Sequence, residues 1–216
     1  MTASVRTQTL LLALAALLLA GCSQVEGGGT SNAIVVGGDD DGYHGVVLTE
    51  PYPVPEQKLV DTDGGKYSLA TDATKPLTLV FFGYTHCPDI CQIVMSTIAS
   101  ALNRLDESER AEVDVVFVTT DPARDTGPVL RDYLDQFDPA YVGLSSDLQT
   151  VIDAGEPLGV YVAKGEELPT GGYEVDHGTP IIGVAPGGTA PIVWSEPSSA
   201  ELAEDLHKFL ADGGIS

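Results

Sequence analysis

Residues 77–91 read LTLVFFGYTHCPDIC. Leu77 to Tyr84 is a nearly unbroken apolar run, the pattern of a strand covered on both faces. Two cysteines follow, at 87 and 91, and the chain then takes on helical spacing. Ile90, Val94, Ile98 and Leu105 fall along one side of a helix expected over residues 89–106. Proline suits the first position of a helix, where an N–H has no partner to lose, so Pro88 predicts the helix start and Cys87 its N-cap. There the unpaired N–H groups and the positive end of the helix dipole favour thiolate over thiol. Cys91 lies one turn further along the same face, with its Cα roughly 6 Å from that of Cys87, within disulfide reach. Such a pair can close a disulfide, grip a soft metal ion, or reduce a peroxide. It can also be two neighbouring core thiols.

The rest of the chain supplies the setting. Residues 58–69 read as a hairpin around the turn Asp61–Gly65. Val113 to Thr119 (VDVVFVT) is a second buried strand. A helix is expected from Asp125-Thr126-Gly127-Pro128 through Phe137, with a polar cap and an early proline. A short helix covers 147–156 and a strand Gly159 to Ala163. Thr179 to Ala185 and Ala190 to Trp194 form a hairpin across Pro186-Gly187-Gly188-Thr189. Ser198-Ser199-Ala200-Glu201 is a capping box before a last helix through Leu210. Alternating β and α segments predict an α/β fold with a mixed central sheet, parallel in the middle, and helices on both faces. A cysteine pair where the first such strand meets its helix is the thioredoxin-like arrangement.

Residues 1–21 read as a signal peptide. Arg6 precedes the apolar run Thr9–Ala20, which has the length of a signal h-region and falls short of the roughly 20 residues of a membrane span. Leu19-Ala20-Gly21-Cys22 resembles the lipobox of bacterial lipoproteins, which implies cleavage before Cys22 and lipidation of it. Residues 22–45, rich in Gly, Ser and Asp, read as a flexible tether, and the folded domain is expected over 46–216. The chain is then anchored by lipid on the extracytoplasmic face of the cell membrane. With 10 basic against 32 acidic residues, a formal net charge of -22, it repels phosphate backbones, so nucleic acid is excluded as a partner. With Cys22 lipidated, Cys87 and Cys91 are the remaining thiols, and outside the cytoplasm they can be oxidised to a disulfide.

Two thiolates suit Cu(I), while Cu(II) or Zn(II) calls for an imidazole as well. Four histidines are present. His44 falls in the tether and His207 in the last helix, and His86 leaves the strand end in a direction different from its neighbour Cys87. His177, in Tyr173-Glu174-Val175-Asp176-His177-Gly178-Thr179-Pro180, precedes the late hairpin, from which a loop can overhang the first strand-to-helix turn. It reads either as a ligand, with Asp176 steering it, or as an ordinary loop histidine.

FFGYTHCPDIC resembles the cysteine motif of the Sco (SenC) family, T-x-C-P-D-x-C after an apolar strand. Val118-Thr119-Thr120-Asp121-Pro122-Ala123-Arg124-Asp125-Thr126 is similar to that family's D-P-x-R-D-T segment, and Asp176-His177 to its D-H element. The matches come in family order and cover about residues 45–212. Gln92 departs from the usual proline, and Gly178-Thr179-Pro180 from the usual continuation. The resemblance implies a thioredoxin-like fold with an inserted hairpin. It implies one copper ion, Cu(I) or Cu(II), on Cys87, Cys91 and His177, with Asp89 and Asp176 supporting the ligands and a Cys87–Cys91 disulfide in the oxidised form. It implies a membrane-tethered copper chaperone that helps assemble the CuA centre in subunit II of cytochrome c oxidase, served by another copper chaperone and a thiol reductant. A thiol-disulfide oxidoreductase that keeps a partner's cysteines reduced is the alternative. A thiol peroxidase using Thr85 and Arg124 ranks below both, since it leaves the histidine without a role. A copper or redox sensor cannot be separated from the carrier by sequence. The Asp121–Thr126 segment reads as architecture, with Arg124 pairing Asp121 or Asp125.

Overall fold

The computed structural model describes residues 41–168, 172–177 and 179–215. The expected signal peptide, Cys22 and most of the expected tether lie outside them. Strand β4, Leu77–Gly83, is the centre of the molecule, with every residue buried. Its side chains alternate between two cores: Leu77, Leu79 and Phe81 enter one, Val80 and Phe82 the other. β4 pairs in parallel with β5, Val113–Thr119, through Leu77↔Val113 to Gly83↔Thr119. On its other side it pairs antiparallel with β9, Ile181–Ala185, which pairs antiparallel with β10, Thr189–Trp194. The order β10-β9-β4-β5 is the thioredoxin-like core. β1, Val46–Pro53, adds to β10, and β6, Val142–Ser145, runs parallel to β5. The hairpin of β2, Leu59–Asp61, and β3, Lys66–Tyr67, closes the far edge, giving eight strands in the order β1-β10-β9-β4-β5-β6-β2-β3.

Helices cover both faces. α1 is Leu69–Asp72, α2 Ile90–Leu102, α3 Glu107–Ala111, α4 Gly127–Leu134, α5 Leu148–Gly155 and α6 Ser199–Asp212. α2, α4 and α6 bring Met95, Ile98, Leu130, Leu134, Leu206 and Phe209 onto Phe81, Phe117 and Trp194. α1 and α5 bring Leu69 and Val151 onto Val80, Phe82, Val116 and Val118. Among the described residues no helix is long and apolar enough to cross a membrane.

Several boundaries differ from the sequence expectation, each for a local reason. The helix expected over 89–106 ends at Leu102, because Asp106 starts a new one. Its carboxylate accepts from Glu109 N–H, and the Glu109 carboxylate accepts from Asp106 N–H. The helix expected to reach Phe137 ends at Leu134. β6 was not expected, since its sequence VGLS carries a glycine. A Cβ at Gly143 would sit 2.8 Å from Leu130 and Leu134, so the residue that hides the strand is what lets α4 pack on it. The strand expected over 159–163 is displaced. β7, Val162–Leu168, instead pairs with β8, Gly172–His177, as a separate two-stranded ribbon, the inserted hairpin.

The last helix opens with the expected capping box of Ser198 and Glu201. It also carries a buried carboxylate, Asp205, that fastens residues 44–45 to the domain. Asp205 accepts from Trp194 Nε1 (2.7 Å), His44 N (2.9 Å) and Gly45 N (2.8 Å). Asp205→Ala leaves three donors without an acceptor and is expected to lower stability by about 3 kcal/mol. A urea titration checks this, as a lower midpoint at unchanged slope.

Candidate metal centre

After β4 the chain turns at once: Cys87 N–H donates to the Tyr84 carbonyl at 3.2 Å. That turn keeps Pro88 in the loop. The helix therefore begins at Ile90 with Asp89 as N-cap, two residues later than the proline predicted. Cys91 N–H, one of the donors left open at a helix start, points at Cys87 Sγ over 3.4 Å. The Cys87 sulfur thus stands at the helix end although the residue is not the cap. Asp89 is exposed and its side chain makes no capping bond.

Both cysteines are thiols, Cys87 half-buried and Cys91 fully buried. Burial pushes the Cys91 thiol far above its ordinary value, and its contact with the Cys87 sulfur adds to the rise. Gly83 makes the room: a Cβ there would lie 3.1 Å from Cys91 Sγ and 2.8 Å from the Phe81 ring.

The Asp121–Thr126 segment forms the wall beneath this loop. Thr120 donates to the Gly83 carbonyl from its N–H (2.7 Å) and its hydroxyl (3.1 Å). Arg124 pairs with Asp121, and its guanidinium carbon lies 5.8 Å from the centre of the Tyr84 ring. Asp125 does something the sequence reading missed. Fully buried, it accepts from Thr85 N–H (2.9 Å), Thr85 Oγ1 (2.6 Å) and Thr119 Oγ1 (2.6 Å). His86 Nδ1 lies 2.9 Å from Thr85 Oγ1 and 3.6 Å from Asp125. The only signal was a Thr on each side of the cysteine-loop base and an acid nearby, too common a set to single out.

The ribbon returns to the same end of the sheet. β9 enters at Ile181, opposite Phe81, and runs antiparallel to β4, so its first residue sits where β4 gives way to the cysteine loop. His177 ends β8 four residues earlier, with its Cα opposite Val162, and four residues span at most about 14 Å. Asp176 pairs with Ala163. The side chains of Asp176 and His177 lie outside those described. Among the described residues no three His, Cys, Asp or Glu side chains form a group able to hold a metal ion. His44 and His207 are elsewhere, on Glu204 and Glu109.

The SCO1/SenC family profile matches residues 51–211, which take in the cysteine loop, its wall and the ribbon. The chain belongs to this family. Among Sco relatives, the mitochondrial SCO2 homolog of Danio rerio is 37% identical over 134 residues, 61% of this chain and 48% of that protein. SCO2 of Saccharomyces cerevisiae is 32% identical over 124 residues, 53% of this chain and 41% of that one. The chain thus spans less than half the length of these two mitochondrial relatives. Among solved structures, apo Sco1 of Thermus thermophilus superposes with a TM-score of 0.68 at 28% identity, covering 77% of this chain and 96% of that one. Copper-bound ScoI of Bradyrhizobium japonicum gives 0.62 at 30%, covering 74% and 98%. The thioredoxin-like fold of the Sco structures is the one found here.

Proposed function

We propose that this Sco protein is a lipid-anchored, extracytoplasmic copper carrier. It holds one copper ion on Cys87, Cys91 and His177 and delivers it to the CuA centre of cytochrome c oxidase. The observation that carries the reading is the cysteine loop itself. Two sulfurs share one helix start, 3.4 Å separating Cys87 Sγ from the Cys91 N–H, and the strand that ends in His177 leads back to the same sheet end. The donor set fits the metal. Paired thiolates suit Cu(I), and the borderline imidazole extends the set to Cu(II). The copper-bound state of the Bradyrhizobium ScoI supports this assignment. The oxidase as target rests on the family resemblance of the three motifs, and the membrane anchor on Cys22.

One observation favours a second activity, thiol-disulfide exchange: Cys87 is partly exposed while Cys91 is buried behind it. The Cys87 thiolate attacks one sulfur of a partner's disulfide and releases the other as a thiolate. Cys91 then attacks Cys87 Sγ and frees the partner's second thiol. Two electrons pass to the partner, and this chain is left with a Cys87–Cys91 disulfide. A reduced pair is needed for Cu(I), so the two activities are compatible.

The test is a titration of the full chain in detergent, reduced under nitrogen, with Cu(I) or Cu(II) against a competing chelator. One equivalent should bind. Cys87→Ser/Cys91→Ser should abolish Cu(I) binding, and His177→Ala should weaken Cu(II) binding by about tenfold or more. Failure to compete for copper, in a protein whose dithiol still reduces disulfides, would leave the exchange reading in its place.

A further inference from the structure

The hydrogen bonds around Asp125 orient the His86 ring. The Thr85 hydroxyl has one proton, and the 2.6 Å contact to the buried Asp125 carboxylate uses it. The 2.9 Å contact between Thr85 Oγ1 and His86 Nδ1 therefore needs a proton on the ring nitrogen. Asp125 cannot turn away, because it is also held by Thr85 N–H and Thr119 Oγ1. In the neutral ring Nδ1 carries the hydrogen and Nε2 the lone pair. Among the described residues Nε2 has no protein partner, and the side chain is 55% exposed. A carboxylate that orients an imidazole, leaving its other nitrogen open, is the arrangement found behind metal-ligating histidines. The residue it serves is the immediate neighbour of Cys87.

We infer that His86 is a further copper ligand of this protein, acting through Nε2 when the ion enters or leaves. This rests on the copper-carrier reading above. His86 does not converge with the two cysteines into a closed site, since no three such side chains among the described residues form a group able to hold a metal ion. It is exposed to solvent directly beside Cys87, where an incoming ligand can reach it. Cu(I) exchanges ligands by association, so an extra donor at the rim opens a path. A His86 Nε2–Cu bond forms as one thiolate–Cu bond breaks, incoming ligands then displace His86 and the second thiolate in turn, and the freed sulfurs remain thiolates or take up protons from water. The copper stays Cu(I) throughout, and no electron moves. Asp125, through Thr85, is the positioning residue that keeps Nε2 turned outward.

The test uses the full chain in detergent, loaded with one equivalent of Cu(I). It measures both the equilibrium affinity and the rate of copper loss to a small chelator. His86→Ala and His86→Asn are each compared with wild type, with and without millimolar imidazole. Both variants are expected to keep their affinity and to lose copper about tenfold more slowly. Free imidazole should restore the rate in the variants and leave wild type unmoved. An unchanged rate, or a slow rate that imidazole does not restore, would overturn the inference. So would a large loss of affinity, which would make His86 a resting ligand. A wild type that binds no Cu(I) takes down the carrier reading together with this one; binding with an unmoved rate takes down this one alone.

Discussion

Asp125→Ala is expected to cost the fold about 3–5 kcal/mol, the largest loss from any single polar substitution around the cysteine loop. Three donors meet on this fully buried carboxylate: Thr85 N–H, Thr85 Oγ1 and Thr119 Oγ1. Bonds to a charged acceptor are the stronger kind, and alanine leaves the buried Thr119 hydroxyl and the half-buried Thr85 donors without this acceptor. Thr85 follows β4 and Asp125 follows β5, and these strands are in parallel register up to Gly83↔Thr119. The carboxylate therefore ties two neighbouring loops together where the sheet ends. Asp125→Asn keeps the shape but presents one acceptor oxygen and an N–H₂ that faces other donors, so roughly half the loss is expected. Urea unfolding followed by tryptophan fluorescence reads both variants through Trp194, the one tryptophan. A midpoint shift equivalent to less than about 1 kcal/mol for the alanine variant would mean that water replaces the carboxylate, and that the loop is held by its turn alone.

The same carboxylate shows what a sequence can and cannot reveal here. β4 and β5 were legible because strands covered on both faces are almost wholly apolar, and the last helix because Ser198 and Glu201 cap it reciprocally. β6 was hidden by Gly143, whose missing side chain serves the helix above it and not the strand. The helix start was misjudged because Pro88 suits either a first helical position or a loop. What decided was the hydrogen bond from Cys87 back to Tyr84. Cys87 and Cys91 were legible as neighbours on one helical turn from spacing alone. The Asp125–Thr85 contact joins residues 40 apart in the chain. No local pattern announces it, and Arg124 next door offered an obvious but different ion pair, which the structure gives to Asp121.

In the metal-free, reduced protein, iodoacetamide at pH 8 is expected to alkylate Cys87 faster than Cys91 by a factor on the order of a thousand. The attacking species is the thiolate, and each unit of raised pKa removes about a factor of ten from it. Burial raises the Cys91 thiol, so the thiol stays protonated across the range in which an ordinary cysteine ionises. The sulfur is also closed in by Phe81 and Gly83 on the core side, so reagent reaches it only when the loop opens. The same shift has a sign for stability. A buried neutral thiol whose folded value is raised contributes fully below the ordinary value of 9.0. Its contribution drains away as the pH climbs from there towards the raised value. Metal-free protein should therefore unfold more easily at alkaline pH, and Cys91→Ala should flatten that dependence. Peptide mapping after timed quenching separates the two cysteines, and denaturation in urea should bring their rates together. Equal rates in the folded protein would show that the loop opens freely, and Cys87 would then lose its standing as the first sulfur to attack a partner. With the thousandfold gap, the order of events in exchange follows from the fold: Cys87 meets the partner, and Cys91 acts only once the mixed disulfide has formed beside it.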